Sequence, residues 1–449
     1  MKKLIILFSA IVLSTPTLNA QTDLTKAQKV DSIFTAFENK KLFCGSVLIV
    51  KKGTILLSKG YGKANYSYDI PNTPETKFKL ASVSKQFTAT AIMILAEQGK
   101  LSTDDKLSKY INDYPNGDRI TIHHLLTHTS GIVNFTSLPV YDSIRTLPHT
   151  MEQLITYFKN KPLDFDPGSK YRYSNSGYVL LSYIVEKASG QPFADYMKQA
   201  IFDPLGMKNS GIFEGNTKVI KNLALGYSDS EVEMENVPHI DMSIPRGAGS
   251  IYSTVIDMYL WDQALYTNKL LKKETLQKMF TVEKGNYAYG WMHEKYKGHD
   301  WIFHSGGIEG FVTNISRFPD DSLTVIILKN VDNQMLLPAN QIARNIMLGF
   351  PYEVPADRKI AQVDPKVYDK LCGEYEMEPG FILTITKEGN RIYSQATDQS
   401  RLEIFPESEF FYFLKKVNAQ LEFVKDKKGT VTSLVLHQGG QKMPAKKIK

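Results

Sequence analysis

Ser82-Val83-Ser84-Lys85-Gln86-Phe87-Thr88-Ala89-Thr90-Ala91-Ile92-Met93-Ile94-Leu95 is the stretch from which the rest of the chain is best read. Phe87, Ala91, Ile94 and Leu95 recur at helical spacing, and Gly99 stands where such a helix would end. At the head of this helix a hydroxyl (Ser82) and an amine (Lys85) lie three residues apart, on one face and within reach of each other. Serine is a weak nucleophile until a neighbour takes its proton, and a lysine with a depressed pKa can do so. The helix N-terminus also favours negative charge developing at Ser82. The plainer reading is a capping serine beside a solvated lysine. The stretch alone does not choose between them.

Outward from this helix, two more short motifs carry chemistry. Tyr173-Ser174-Asn175 follows a turn-rich stretch, Phe165-Asp166-Pro167-Gly168-Ser169, and precedes a helical pattern over 178–187. A tyrosine beside a lysine can shuttle a proton, and an asparagine can orient both the lysine and a substrate carbonyl. His304-Ser305-Gly306-Gly307 ends an expected strand containing Trp301, Ile302 and Phe303. Glycines there let a substrate lie against the strand edge, where a backbone N–H can serve an oxyanion. Each motif also has a structural reading, a turn tyrosine and a glycine bend. The order and spacing of all three together are much harder to reach by accident.

The set resembles the class C β-lactamase-like branch of serine hydrolases, which carries S-x-x-K with Y-x-N and H-x-G variants. DD-carboxypeptidases, D-amino-acid peptidases and esterases share that branch. Leu125 to Gly131, Pro204-Leu205-Gly206-Met207 and Gly247-Ala248-Gly249-Ser250 are also similar to the family, so the resemblance covers about 40–348. It implies a β-lactamase/transpeptidase-like α/β (α+β) fold, an antiparallel sheet flanked by helices with a helical subdomain. It further implies Ser82 as nucleophile, Lys85 and Tyr173 managing its proton, and Asn175 holding Lys85 and substrate. The N–H groups of Ser82 and Gly307 would form the oxyanion hole, with His304, Ser305 and Gly306 lining the cleft. Many β-lactamases carry a lysine where His304 stands, and a histidine is mostly neutral at pH 7. Strong β-lactamase activity is therefore not expected, whereas peptidase and esterase activity both are.

Strand signals also flank the helical middle. Val47 to Val50 and Ile55 to Leu57 surround a Lys52-Gly53 turn as a β-hairpin, and strands return at 301–304, 312–317 and 323–328. One sheet assembled from both ends of the domain is expected. A helix over 338–348 finishes that domain, residues 351–364 read as a linker, and 365–449 alternate as a small all-β barrel. By resemblance, that barrel is of the lipocalin-like kind. Residues 401–449 hold ten Lys/Arg against five Asp/Glu, most simply a solvated surface.

Composition bounds the rest. A chain of 449 residues with 42% hydrophobic and 22% charged residues is an ordinary globular protein, neither disordered nor fibrous. A net charge of +7 is too small and unclustered to suggest a nucleic-acid partner. Met1-Lys2-Lys3, the apolar run Leu4–Leu13, Pro16 and Asn19-Ala20 read as a cleavable signal peptide over 1–20. The catalytic domain then spans 21–350, in a periplasmic or secreted protein with no stable membrane span. Cys44 and Cys372 are too few for a disulfide scaffold, and sequence leaves their pairing open. His124 and His128 lie one helical turn apart, but Leu125 stands where metalloprotease helices place a glutamate. His123, His124 and His128 are thus read as structural, with no metal and no organic cofactor. Asp104-Asp105 is read as a helix cap, and Tyr61, Tyr66 and Tyr68 as strand packing. The expected activity is that of a peptidase or carboxypeptidase on D-amino-acid-containing peptides of the peptidoglycan type, with hydrolysis of small acyl esters or weak β-lactamase action as the alternative. A binding module without turnover, of penicillin- or peptide-binding type, is the reading of another class.

Overall fold

The structure is a computed structural model that describes residues 16–449 except 230–233, 334–335, 355–357, 398, 400, 415–418 and 439–440. The chain divides into two compact units, Met1–Tyr352 and Glu353–Lys449. In the first, α1 (Pro16–Asn39) leads into the hairpin β1 (Gly45–Lys51) and β2 (Thr54–Tyr61). The middle carries α2 (Ser84–Glu97), α3 (Ile122–Leu126), α4 (Asn175–Ser189) and α5 (Val255–Ala264). The closing strands β3 (Met292–Tyr296), β4 (His299–Ile308), β5 (Phe311–Phe318) and β6 (Leu323–Lys329) precede α6 (Leu336–Leu348).

Six strands form one antiparallel sheet in the order β3-β4-β5-β6-β1-β2. The first hairpin thus joins the last strand, with Gly45 opposite Lys329 and Ile49 opposite Val325. The unbroken apolar run of β1 follows from this central place. Val47 and Ile49 pack with α1 and α6, through Val30, Phe34, Ile342 and Ile346. Leu48 and Val50 face the other way, into the core built from α2, α4 and α5. Both faces are covered, so alternation disappears. The Lys52-Gly53 turn falls as expected, with Lys52 at φ +51° and Gly53 at φ +74°.

Two local expectations differ in the structure. Residues 1–15 of the expected signal peptide lie outside the described residues, and α1 runs from Pro16 past Ala20. Asp105 caps no helix: its carboxylate closes a turn on Ser102 N–H at 2.9 Å and takes Lys109 at 2.8 Å and Tyr110 at 2.7 Å. Of the three tyrosines, only Tyr61 lies on a strand, and Tyr68 is exposed in the turn that follows the short strand Lys63–Asn65. Among the described helices, none is long and apolar enough to cross a membrane.

The second unit is a closed barrel of eight antiparallel strands, β7 (Gly373–Glu378), β8 (Phe381–Glu388), β9 (Arg391–Ala396), β10 (Leu402–Pro406), β11 (Phe411–Leu414), β12 (Ala419–Lys425), β13 (Val431–Gln438) and β14 (Gln441–Lys447). Each strand pairs with the next, and Tyr375 opposite Lys447 closes the ring. At this strand number side chains fill the interior, here Tyr375, Ile385, Tyr412, Leu421, Phe423 and Leu434. Part of the expected linker belongs to this unit: Ala361 donates to the Pro406 carbonyl at 2.8 Å, and Val363 packs on the barrel core. Cys44, in the first unit, and Cys372, in the second, are both free thiols.

Inside the first unit a buried ion pair ties sheet to helix. Arg317 of β5 donates to Asp262 of α5 at 2.6 Å, with the two side chains 2% and 0% exposed. Asp262→Ala leaves the guanidinium charged in the core, so urea denaturation should show the first unit destabilised by about 3–5 kcal/mol.

Candidate active site

The turn that presents Ser82 is built by strain and by close approach. Ala81 adopts φ +50°, a conformation costly for a residue with a Cβ, and Ala81–Val83 form a 3-10 turn ahead of α2. Leu80 fixes the turn on two sides, donating to the Ile251 carbonyl and accepting from Thr313 Oγ1, each at 2.8 Å. Gly306 of β4 lies directly against it: a Cβ there would stand 2.3 Å from the Leu80 oxygen and 3.0 Å from the Ser82 nitrogen. The capping reading of Ser82 is thereby removed, because α2 begins at Ser84 with no side-chain cap.

Nor is Lys85 solvated. It is fully buried on the first turn of α2. Its Nζ lies 3.1 Å from Ser82 Oγ, 2.9 Å from Asn175 Oδ1 and 2.8 Å from the Ala248 carbonyl. The amine also rests 4.8 Å from the ring centre of Tyr173 and 5.5 Å from that of Tyr178. Burial pushes its pKa well below the ordinary lysine value. Two of its three partners are carbonyl oxygens that only accept. A neutral amine spends its two N–H groups on those oxygens, leaving its lone pair for the Ser82 hydroxyl proton.

Asn175 opens α4, and its amide is oriented by its surroundings. Its Nδ2 donates to Thr136 Oγ1 at 3.2 Å, which turns Oδ1 to Lys85, and its backbone N–H donates to Asn134 Oδ1 at 3.0 Å. Two residues earlier, Tyr173 stands beside both groups, its ring 4.8 Å from Lys85 Nζ, and Ser82 acts on its hydroxyl to favour the phenolate slightly. Burial raises the Tyr173 pKa above the ordinary phenol value, so the group stays a protonated donor at neutral pH. Ser82 thus meets an amine of lowered basicity and a phenol of lowered acidity.

The H-x-G stretch lies within β4 instead of at its end. The neighbouring β3 stops at Met292, opposite Phe303, so residues 304–308 pair only with β5 among the described residues. That unpaired edge borders a cavity of about 160 Å³ lined by Ser82, Thr136, Asn175, Gly249 and Gly307. The cavity shares Tyr141, Gly307 and Ile308 with a second one of about 620 Å³, where Ser305, Glu309 and Asp332 also stand. Strand alternation decides which side chains meet it: Ser305 and Gly307 are exposed, while His304 and Gly306 point inward.

His304 therefore does not line these cavities, contrary to the expectation. Its ring is 3% exposed; Nδ1–H donates to the Ser305 carbonyl at 2.6 Å and Nε2 accepts from the Tyr287 hydroxyl at 2.9 Å. Burial, then the charge of Lys85, lower its pKa to about 3, so His304 is neutral at physiological pH. The three other histidines are not gathered into one site. His124 caps its own helix with Thr121, His123 Nδ1 meets the Tyr289 hydroxyl at 2.7 Å, and His128 is buried behind Tyr173. Sequence reasoning missed Asn134, Thr136, the Ala248 carbonyl and Tyr287. Of these only Ala248 lay in a stretch already singled out.

A serine held between a buried lysine and a tyrosine, at the head of a helix and beside an open strand edge, is the arrangement of a serine hydrolase. The comparisons agree: the Beta-lactamase family matches residues 30–345, and a domain of unknown function, DUF3471, matches 357–447. The chain belongs to the Beta-lactamase family. It is similar to "Penicillin-binding protein 4*" of Bacillus subtilis (strain 168), 31% identical over 94% of this chain and 99% of that one. It is also similar to "Putative penicillin-binding protein PbpX" of the same organism, 35% identical over 70% of this chain and 79% of the relative. Among solved structures, the octameric penicillin-binding protein homologue from Pyrococcus abyssi matches with a TM-score of 0.66 and 27% identity, over 93% of this chain and 99% of that one.

Two outcomes test this geometry. Asn175→Asp sets a carboxylate beside the Lys85 amine, which favours ammonium and raises its pKa. The rate of Ser82 acylation needs the neutral amine, so its rise with pH should move to higher pH and the rate at pH 7 should drop. Gly306→Ala should slow acylation by roughly 10²-fold by displacing the Ser82 turn, and should also lower the thermal unfolding temperature, since the added Cβ meets backbone at 2.3 Å.

Proposed function

We propose that this protein is an exported serine hydrolase that forms an acyl-enzyme on Ser82 and acts on D-amino-acid-containing peptides of the peptidoglycan type. The observation that carries the reaction is the set of partners around Lys85 Nζ, which leaves its lone pair for Ser82. In this reading Lys85 takes the proton as Ser82 attacks the carbonyl. As the scissile bond breaks, Tyr173 passes its proton to the leaving group and is reprotonated by the Lys85 ammonium, and Asn175 keeps Lys85 in place. The backbone N–H groups of Ser82 and Gly307 hold the oxyanion, and the unpaired edge over 304–308 receives the substrate backbone as an added strand.

Penicillin-binding relatives support the substrate class, since a β-lactam mimics a D-alanyl-D-alanine end. The pattern of Lys2-Lys3 and Leu4–Leu13 supports export. A second reading, hydrolysis of short acyl esters, is favoured by the neutral, buried His304, which offers no charge to a substrate carboxylate.

Intact-mass spectrometry after incubation with a fluorescent penicillin and, separately, a fluorophosphonate tests the proposal, with Ser82→Ala as control. The proposed function predicts an adduct with both probes in the wild type and none in the variant. Labelling by the fluorophosphonate alone transfers the assignment to esters. No adduct with either probe, and no turnover of D-alanyl peptides, leaves a binding module without catalysis.

A further inference from the structure

Behind Tyr173 lies a buried group that the reaction above does not use. We infer that His128 is the positioning residue for Tyr173, holding it from three directions; the inference rests on the role of Tyr173 at Ser82. His128 follows α3 at φ +56°, in the left-handed region. Its carbonyl accepts from the Arg172 N–H at 3.0 Å, and its Nδ1 accepts from the Ser174 N–H at 3.2 Å. These two anchors flank Tyr173 in sequence. The imidazole itself packs on the Tyr173 ring, with centroids 4.3 Å apart, and is backed by Tyr287 at 4.4 Å and Tyr178 at 5.1 Å.

One residue thus fixes the backbone on both sides of Tyr173 and the face of its ring. The left-handed turn alone would be met by glycine or asparagine, which adopt positive φ readily. What histidine adds is the ring that reaches Tyr173. Because Nδ1 receives an N–H, the neutral ring carries its proton on Nε2, which is buried without a hydrogen-bond partner among the described residues. The ring is 2% exposed, and burial, then Lys85 and His304, keep it from taking a second proton. His128 therefore presents one fixed, uncharged shape to Tyr173.

Three variants test the inference. His128→Gly keeps the backbone conformation and removes both ring and acceptor. His128→Asn retains an acceptor in the place of Nδ1 and also tolerates the left-handed turn. Tyr173→Phe removes the hydroxyl through which His128 is held to act. The rate constant of Ser82 labelling by a fluorophosphonate is expected to fall on the order of 10²-fold in His128→Gly, with the concentration for half-maximal rate little changed. Much of the loss should return in His128→Asn. The double variant His128→Gly/Tyr173→Phe should label no more slowly than Tyr173→Phe alone. Losses that multiply in the double variant, or a His128→Gly protein that labels at the wild-type rate, overturn the role. Should the glycine variant unfold, the same cycle run with His128→Phe, which fills the space and removes the Nδ1 acceptor for Ser174 N–H, decides the question. Wild-type protein that never labels at Ser82 overturns instead the reading on which the inference stands.

Discussion

The rest of the structure depends on a lysine amine held out of water. Lys85 reaches no carboxylate among the described residues, and its contacts are two carbonyl oxygens, one hydroxyl and two aromatic faces. Burying an ammonium in that setting is unfavourable, so the group relaxes toward its neutral form. The cage is assembled from three distant parts of the chain: the start of α2, the start of α4 and the 3-10 turn at residues 246–248. Folding the helical middle onto the sheet is therefore what creates this setting for the amine, and no local segment contains it.

The sheet makes the complementary contribution. Because β3 ends opposite Phe303, β4 continues alone past it and offers a row of backbone groups beside Ser82. Gly306 lets that strand approach the Leu80–Ser82 turn closely enough to bring nucleophile and strand edge together. Strand alternation then sends Ser305 and Gly307 to the cavity and buries His304 against Tyr287. An inward-facing neutral histidine at this position binds the fold, through Tyr287, and not the substrate.

Much of this was legible in the sequence, for stated physical reasons. Three-residue spacing puts Ser82 beside Lys85 even with Ser82 on the 3-10 turn ahead of α2, and two apolar runs around Lys52-Gly53 can hardly be other than a hairpin. The barrel was readable because alternation persists from Phe381 to Leu436. What escaped lay in long-range partners without a local mark. Asn134 and Thr136 orient Asn175 across about forty residues of sequence. The Ala248 contact is made by a backbone oxygen, which no residue identity announces. His304 was expected in the cleft because a strand's facing cannot be read without knowing where its neighbour stops. His128 was judged by its spacing to His124, whereas its partners are the backbone around Tyr173.

The central claim is that burial drives the Lys85 amine toward its uncharged form. Nuclear magnetic resonance of protein labelled at the lysine side-chain ε-carbon and ζ-nitrogen reads the charge of each amine directly, with Lys85→Met identifying the signal. One lysine signal, absent from that variant, is expected to titrate well below the usual value near 10.4. A Lys85 signal that stays charged until the surface lysines titrate would contradict it.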